Sequence, residues 1–520
     1  MAITFLDKKK ILRSLPIITL SSLIILFFSF PTYYAYKNTP EKMVFSGQAF
    51  WFDPWDVNVY VSAIRWSQNN GLNFQNAYTT QPHKSTVFYP FYTALGVSFP
   101  KANPFVLYHI SLTVLSFCLL LIIYSISKEF LNSKNQAFLA TILISLGGGF
   151  GWLFLPKIFL CDIGLTPFTF KNTFQRPHEV LAVIFYLLSF YLFFTGIKKR
   201  NLKKVRYSAL STCLLIFFYP FYTVPYYLVC GSYVLVSFFK TKKSEIFKYL
   251  QTIVCLTLPI GILYSLYLLN SEAFGGVIHF RYITPQIPWL VLGYGILSFF
   301  LIFQLFQKNK DSTSVFLNLW FFVNIFLTYL PLGFARYFLR TLFFPLVILT
   351  LKSINRLDKR FAAYKTMLLI VIILLTLPSN FVVSIIQIAN AGKVSNRWYY
   401  LSKNEDEAVD FLNHKSPSGS GILSYYPIGN HLPAHTDNRV YYGHNHQTPN
   451  SKEKIENLNK FYANEYSNEE VEKFIKDNNI SYVWWGRDEK EIANKNNEEN
   501  LKYDFLKPVY TNSEVVIYSY

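Results

Sequence analysis

Long apolar blocks alternate with short basic gaps over most of this chain. The blocks lie near residues 15–36, 104–127, 136–156, 178–197, 207–221, 222–239, 247–269, 287–306, 315–333, 341–353 and 364–388. A helix of roughly 20 apolar residues spans the hydrocarbon of a bilayer, so this spacing predicts a polytopic α-helical membrane protein with about eleven spans. The apolar run 207–239 is too long for one crossing, and Tyr219-Pro220-Phe221 with Pro225 interrupts it. Proline removes a helical hydrogen bond, so the run reads as two helices around a tight turn. The stretch 341–353 is the shortest of the set.

Beyond residue 390 the pattern changes to a polar one, rich in Asn, Glu and Lys. Glu405–Leu412 and Glu469–Lys476 have helical spacing, while 480–485 and 515–518 read as strands. The tail 391–520 is therefore expected to be a small α/β domain, after a membrane domain over 1–390. The tract 487–500 reads as a solvated loop or helix face. Between the first two blocks, the loop 37–103 contains apolar spacing from Trp55 to Gln68 that suits an amphipathic helix on a membrane surface.

Composition agrees: of 520 residues, 52% are hydrophobic, 19% aromatic and only 15% charged. A soluble domain usually carries about a quarter charged residues. The net charge of +19 does not point to nucleic acid, because the basic residues sit between spans and form no single face. They also fix an expected orientation. Alternate gaps hold Lys128 and Lys134; Lys198, Lys199, Arg200, Lys203, Lys204 and Arg206; Lys240, Lys242 and Lys243; Lys308 and Lys310; and Lys352, Arg356, Lys359 and Arg360. The other short gaps hold only Lys171 and Arg176, Arg281, and Arg336 and Arg340. By the positive-inside rule the N-terminus is expected to be cytoplasmic and the tail extracytoplasmic. Lys8-Lys9-Lys10 and Arg13 precede the first block, which is longer than a signal-peptide core and reads as an uncleaved helix. Of the five cysteines, four fall in apolar blocks and Cys161 stands in a loop, so no disulfide framework is expected.

The chemistry gathers in the expected outer loops. Phe52-Asp53-Pro54-Trp55-Asp56 lies in the loop after the first block, with Tyr60 one helical turn later. A carboxylate beside a bilayer is costly unless water, a cation or a substrate meets it. Asp53 or Asp56 could cap a helix or act as a general base. Asp53, Asp56 and Asp162 could together supply hard oxygen ligands to magnesium or manganese, although no spacing requires a divalent cation. His431, His435, His444 and His446 are close enough in sequence to be metal ligands or simply loop histidines. Gly147-Gly148-Gly149-Phe150-Gly151 sits at the end of an apolar block and is better suited to close helix packing or a kink than to holding phosphate.

The acidic pair after the first helix, with its Asp-x-x-x-Tyr pattern, resembles the GT-C membrane glycosyltransferases. Ala335-Arg336-Tyr337 followed by Pro345 is similar to a late stretch of that superfamily, which includes protein mannosyltransferases and bacterial aminoarabinose transferases. In the tail, Gly429-Asn430-His431-Leu432-Pro433-Ala434, Arg439-Val440-Tyr441-Tyr442-Gly443-His444 and Tyr482-Val483 resemble bacterial transferases of this kind. The resemblance implies transfer of a sugar at a bacterial cell membrane, with inversion, from a polyprenyl-phosphate carrier to an extracytoplasmic lipid, glycan or protein acceptor. It implies Asp56, with Asp53 as rival, as the base, and Arg336 and Arg340 at the carrier phosphate. It also implies a second acidic or histidine group, for which Asp162 and His178-Glu179 are available. Two alternatives stay open, a transporter or flippase of lipid-linked glycans and an inactive scaffold. Few ionisable residues fall mid-span, which is unlike a transport path.

Overall fold

The computed structural model describes residues 8–271, 283–307, 310–357, 362–495 and 501–520. Arg281, Lys308, Lys359 and Arg360, counted in the charge asymmetry, lie outside these, as do 496–500 of the polar tract. The chain divides into two compact units. The first comprises Met1–Phe30, Ile110–Leu266 and Arg281–Ile386; the second comprises Pro31–His109, Tyr267–Phe280 and Gln387–Tyr520. The loop after the first helix groups with the tail in the second unit.

Eight helices among the described residues are long and apolar enough to cross a membrane: Ser14–Lys37, Pro104–Leu131, Lys134–Phe154, Pro177–Lys198, Pro220–Thr241, Ser244–Leu269, Ala335–Asn355 and Tyr364–Asn390. The pair Ile287–Tyr294 and Leu297–Gln304, bent by 106°, makes nine if it is one span. The other two expected spans are helices, but short ones: Leu202–Ile216 has 15 residues and Ser312–Thr328 has 17. Both fall below the roughly 20 residues of a straight crossing. Proline breaks the 207–239 run as expected, with a 3-10 turn at Pro220–Tyr222 between Leu202–Ile216 and Thr223–Thr241. Pro225 falls in the first turn of the latter, where no helical donor is lost.

In the first unit the glycine run is a close backbone crossing. Phe150 N donates to Leu292 O at 2.9 Å, at the break of the bent pair. A Cβ on Gly149 would fall 2.2 Å from the Gly293 carbonyl oxygen, so only glycine fits there.

The second unit is built on a five-stranded sheet. Its order is Arg439–Val440, Gly421–Leu423, Tyr482–Trp485, Val516–Ser519 and Lys507–Thr511, the first three parallel and the last two antiparallel to their neighbours. Side chains alternate across a strand, so successive residues of Tyr482–Trp485 enter different cores. Val483 and Trp485 join Leu423, Leu458, Phe461, Val471 and Ile475, contributed largely by the helices Ser451–Tyr462 and Asn468–Asp477. Trp484 instead joins Ile422, Ile517, Val409, Leu412, Ile428 and Leu432, with Val59 and Tyr78 from the loop after the first helix. The helix Pro54–Asn70 is therefore part of the core on that face.

This differs from the expected surface helix. Val57 through Ile64 are all buried, with Pro90–Ser98 and Tyr426–His435 packed against them. The polar positions that looked solvent-facing are paired instead. Asn58 Nδ2 donates to Asn430 Oδ1 at 2.8 Å, and the Ser62 and Ser67 hydroxyls donate to backbone carbonyls at 2.8 and 2.9 Å.

Candidate functional site

Asp53 and Asp56 stand at the N-terminus of Pro54–Asn70. Pro54 occupies its first position, where a missing N–H costs nothing. Asp53 is held in the left-handed region, φ 44° and ψ 60°, and its side chain makes no capping hydrogen bond to the helix. Asp56 lies in the first turn, where the helix dipole favours a negative charge. Its Oδ1 is 3.0 Å from His444 Nε2, and its side chain is 25% exposed against 2% for the histidine. Asp53 therefore occupies the cap position without bonding the helix through its side chain.

The tail motifs explain how this contact is held. His444 Nδ1 accepts from the backbone N–H groups of His446 and Gln447 at 3.1 and 3.2 Å. An acceptor nitrogen carries no proton, so the ring proton belongs on Nε2, which donates to Asp56. Asn430, fully buried, uses one amide to reach both segments. Its Nδ2 donates to Trp55 O at 3.2 Å and to Gly443 O at 3.0 Å, the residues preceding Asp56 and His444. Thr448 Oγ1 accepts from the N–H of Gly443 and of His444 and donates to Tyr78 O at 3.0 Å.

The other histidines do not join a metal cluster. His431 is buried, with Nε2 2.8 Å from Arg397 O and Nδ1 3.2 Å from Asn58 Nδ2. Burial, with His435 nearby, draws its imidazole down to about 3. Burial, with Arg65 nearby, draws that of His435 down to about 4. Among the described residues no group of three or more His, Cys, Asp or Glu side chains could hold a metal ion. No step below uses a metal. Tyr60 is an aromatic core residue, stacked on Tyr92 at 4.9 Å and edge-on to Tyr89 at 5.4 Å.

The remaining expected residues belong to the first unit. Asp162 is buried, and its Oδ2 accepts from Gly149 N, Gly151 N and Ser379 Oγ at 2.8, 3.1 and 2.5 Å. It anchors the glycine crossing. Glu179 is clamped between two buried arginines, with Arg340 at 2.5 Å and Arg176 at 3.3 Å. His178 Nε2 meets the Tyr219 hydroxyl at 2.8 Å, and that hydroxyl donates to Glu179 Oε1 at 3.3 Å. Arg336 lies on the 3-10 turn Ala335–Leu339 with its guanidinium 5.7 Å from the Tyr337 ring centre.

Two cations counted only as loop charges turn out to be buried. Arg176 is one; Lys171, 2% exposed, is the other. Lys171 Nζ donates to Ser384 Oγ and lies 5.6 Å from the Phe28 ring, with no carboxylate within ion-pairing distance among the described residues. Burial draws its ammonium down to about 7. A lone buried lysine is a functional signal that charge counting cannot detect.

No family model matches the sequence, and no curated protein does. Solved structures do share its fold. An oligosaccharyltransferase from Archaeoglobus fulgidus superposes with a TM-score of 0.60 at 13% identity, covering 97% of this chain and 74% of that one. The oligosaccharyltransferase AglB from Archaeoglobus fulgidus, with an inhibitory peptide and a dolichol-phosphate, gives 0.54 at 12% identity over 92% and 70%. ArnT from Cupriavidus metallidurans bound to undecaprenyl phosphate gives 0.51 at 10% identity over 96% and 98%. Identities this low speak to fold, and on that evidence the chain has the fold of the GT-C membrane glycosyltransferases.

Proposed function

We propose that this protein is a membrane glycosyltransferase that moves a sugar from a polyprenyl-phosphate carrier to an extracytoplasmic lipid, glycan or protein. The observation that carries the reading is Asp56: a carboxylate just past the first apolar helix, locked by a hydrogen bond yet a quarter open to solvent. Proteins of this fold have been captured with dolichol-phosphate and with undecaprenyl phosphate, which supports a lipid phosphate carrier here.

In the proposed step the acceptor hydroxyl gives its proton to Asp56 as its oxygen bonds to the sugar C1. The bond from C1 to the carrier phosphate breaks, and the electron pair leaves on the phosphate. Attack opposite the leaving group inverts the anomeric centre. A general base of this kind contributes roughly 10²- to 10⁴-fold. Asp53 remains its rival. The departing phosphate needs a cation. Arg336 and Arg340 are the cations that the family resemblance offers for it, since a guanidinium pairs bidentately with phosphate. Membrane lipid surrounds the apolar helices, with the N-terminus cytoplasmic and the tail outside.

The experiment is transfer of radiolabel from a panel of polyprenyl-phosphate sugars to membrane extract by the purified full chain, with the product anomer read by NMR. Transfer with inverted configuration supports the reading. Retention would reject the single-displacement step, and absence of transfer from folded protein would favour a carrier-glycan transporter or a scaffold. An alkaline phosphatase fused after Tyr520 should be active if the tail is outside.

A further inference from the structure

Two tail motifs, Gly-Asn-His at 429–431 and Gly-His at 443–444, have no role in the step as written. Their geometry assigns them one. We propose that His444 is a positioning residue for Asp56: as a neutral imidazole carrying its proton on Nε2, it fixes the orientation of the carboxylate, with Asn430 tying the two chain segments together. This rests on Asp56 being the base.

Three observations support it. The proton position is dictated by backbone, because Nδ1 already accepts from His446 N and Gln447 N. The residue is held at both ends, since its imidazole is buried and its backbone N–H donates to Thr448 Oγ1, which donates in turn to Tyr78 O. Asn430 then sets the separation, because one buried amide group bonds the carbonyls preceding both partners. A reactive carboxylate with one oxygen held in this way loses rotational freedom before the acceptor arrives, which lowers the entropic part of the barrier. Asp56 and His444 are 388 positions apart, so the tail completes the site and is no mere appendage.

The test uses the full chain in detergent or nanodiscs. His444→Leu keeps the approximate volume without the donor, and His444→Gln restores an N–H near Nε2. Loss of a hydrogen bond that orients a reactive group is worth roughly 10- to 100-fold. His444→Leu should lower kcat by that factor with KM little changed, and His444→Gln should recover most of it. Wild-type kcat in His444→Leu, or equal losses in both variants together with a raised KM, would overturn the proposal. Asp56→Asn separates the two readings. If it stays active, the base assignment fails. If it is inactive while His444→Leu is as fast as wild type, only the positioning role fails. A second measurement needs no substrate. In 15N-histidine spectra at neutral pH, the signal absent from His444→Gln should show a protonated Nε2 and a bare Nδ1. A proton on Nδ1 would overturn the proposal.

Discussion

Gly443 and Gly429 meet backbone to backbone: a Cβ on Gly443 would come within 2.2 Å of the Gly429 carbonyl oxygen. A Cβ on Gly429 would fall 2.4 Å from the Tyr442 carbonyl oxygen. Neither obstacle is the end of a flexible side chain, so an added methyl must move main chain. Gly443→Ala is expected to cost roughly 1–3 kcal/mol, the range for overpacking. It should also slow transfer, because His444 is the next residue. Thermal unfolding of the purified variant, beside its transfer rate, checks both effects.

Asp162 gathers three donors on one oxygen, two of them the backbone N–H groups of Gly149 and Gly151. Asp162→Ala orphans those two N–H groups, at roughly 1–3 kcal/mol for each buried group left without a partner, while the Ser379 hydroxyl keeps Gly149 O as an acceptor. The expected result is lower stability and yield, with near-normal kcat in the protein that does fold. A collapse of kcat at normal stability would instead give Asp162 the substrate role implied by resemblance.

Glu179 faces two arginines, whereas Arg340 faces one carboxylate. Breaking a buried ion pair costs about 3–5 kcal/mol, because a charge is stranded. Glu179→Gln strands two guanidinium groups, and Arg340→Met leaves Glu179 still paired with Arg176. Glu179→Gln should therefore lower the melting temperature more than Arg340→Met. The double substitution should be less harmful than the sum of the two, as a double-mutant cycle can measure.

Glu489 gives a pH dependence to the second unit. It is fully buried and accepts from Tyr425 N and Gly486 N at 2.6 and 3.1 Å. Burial, the largest influence, raises its carboxyl from 4.5 to about 7. The folded state then binds more protons than the unfolded state between those values, so stability falls as pH rises through that window. The loss is complete above about pH 7 and amounts to about 3 kcal/mol. Glu489→Gln should flatten this part of the stability profile, as melting temperatures from pH 4 to pH 8 would reveal (roughly the window that linkage defines).

Much of the architecture was legible because it is periodic. Apolar blocks marked the helices, Tyr219-Pro220-Phe221 marked a break, and the strand pattern marked Tyr482–Trp485 and Val516–Ser519. Helix starts in the tail carry their own signal: Ser402 with Glu405 and Ser467 with Glu470 form capping boxes. What escaped depends on long-range pairing. Asn58 and Ser62 resembled a wet helix face because polarity alone does not tell a hydrated group from a bonded one. Lys171 and Arg176 counted as outer charges, since their burial comes from neighbours distant in sequence. The Asp56 contact with His444 has no period at all, since its partners are 388 positions apart.

The most direct measurement of the central claim is sugar transfer from polyprenyl-phosphate donors by wild type, Asp56→Asn and Asp53→Asn, each verified for folding and membrane insertion. Loss of roughly 10²-fold or more in Asp56→Asn, with Asp53→Asn far less affected, is the expected result. Undiminished transfer by Asp56→Asn would contradict the account.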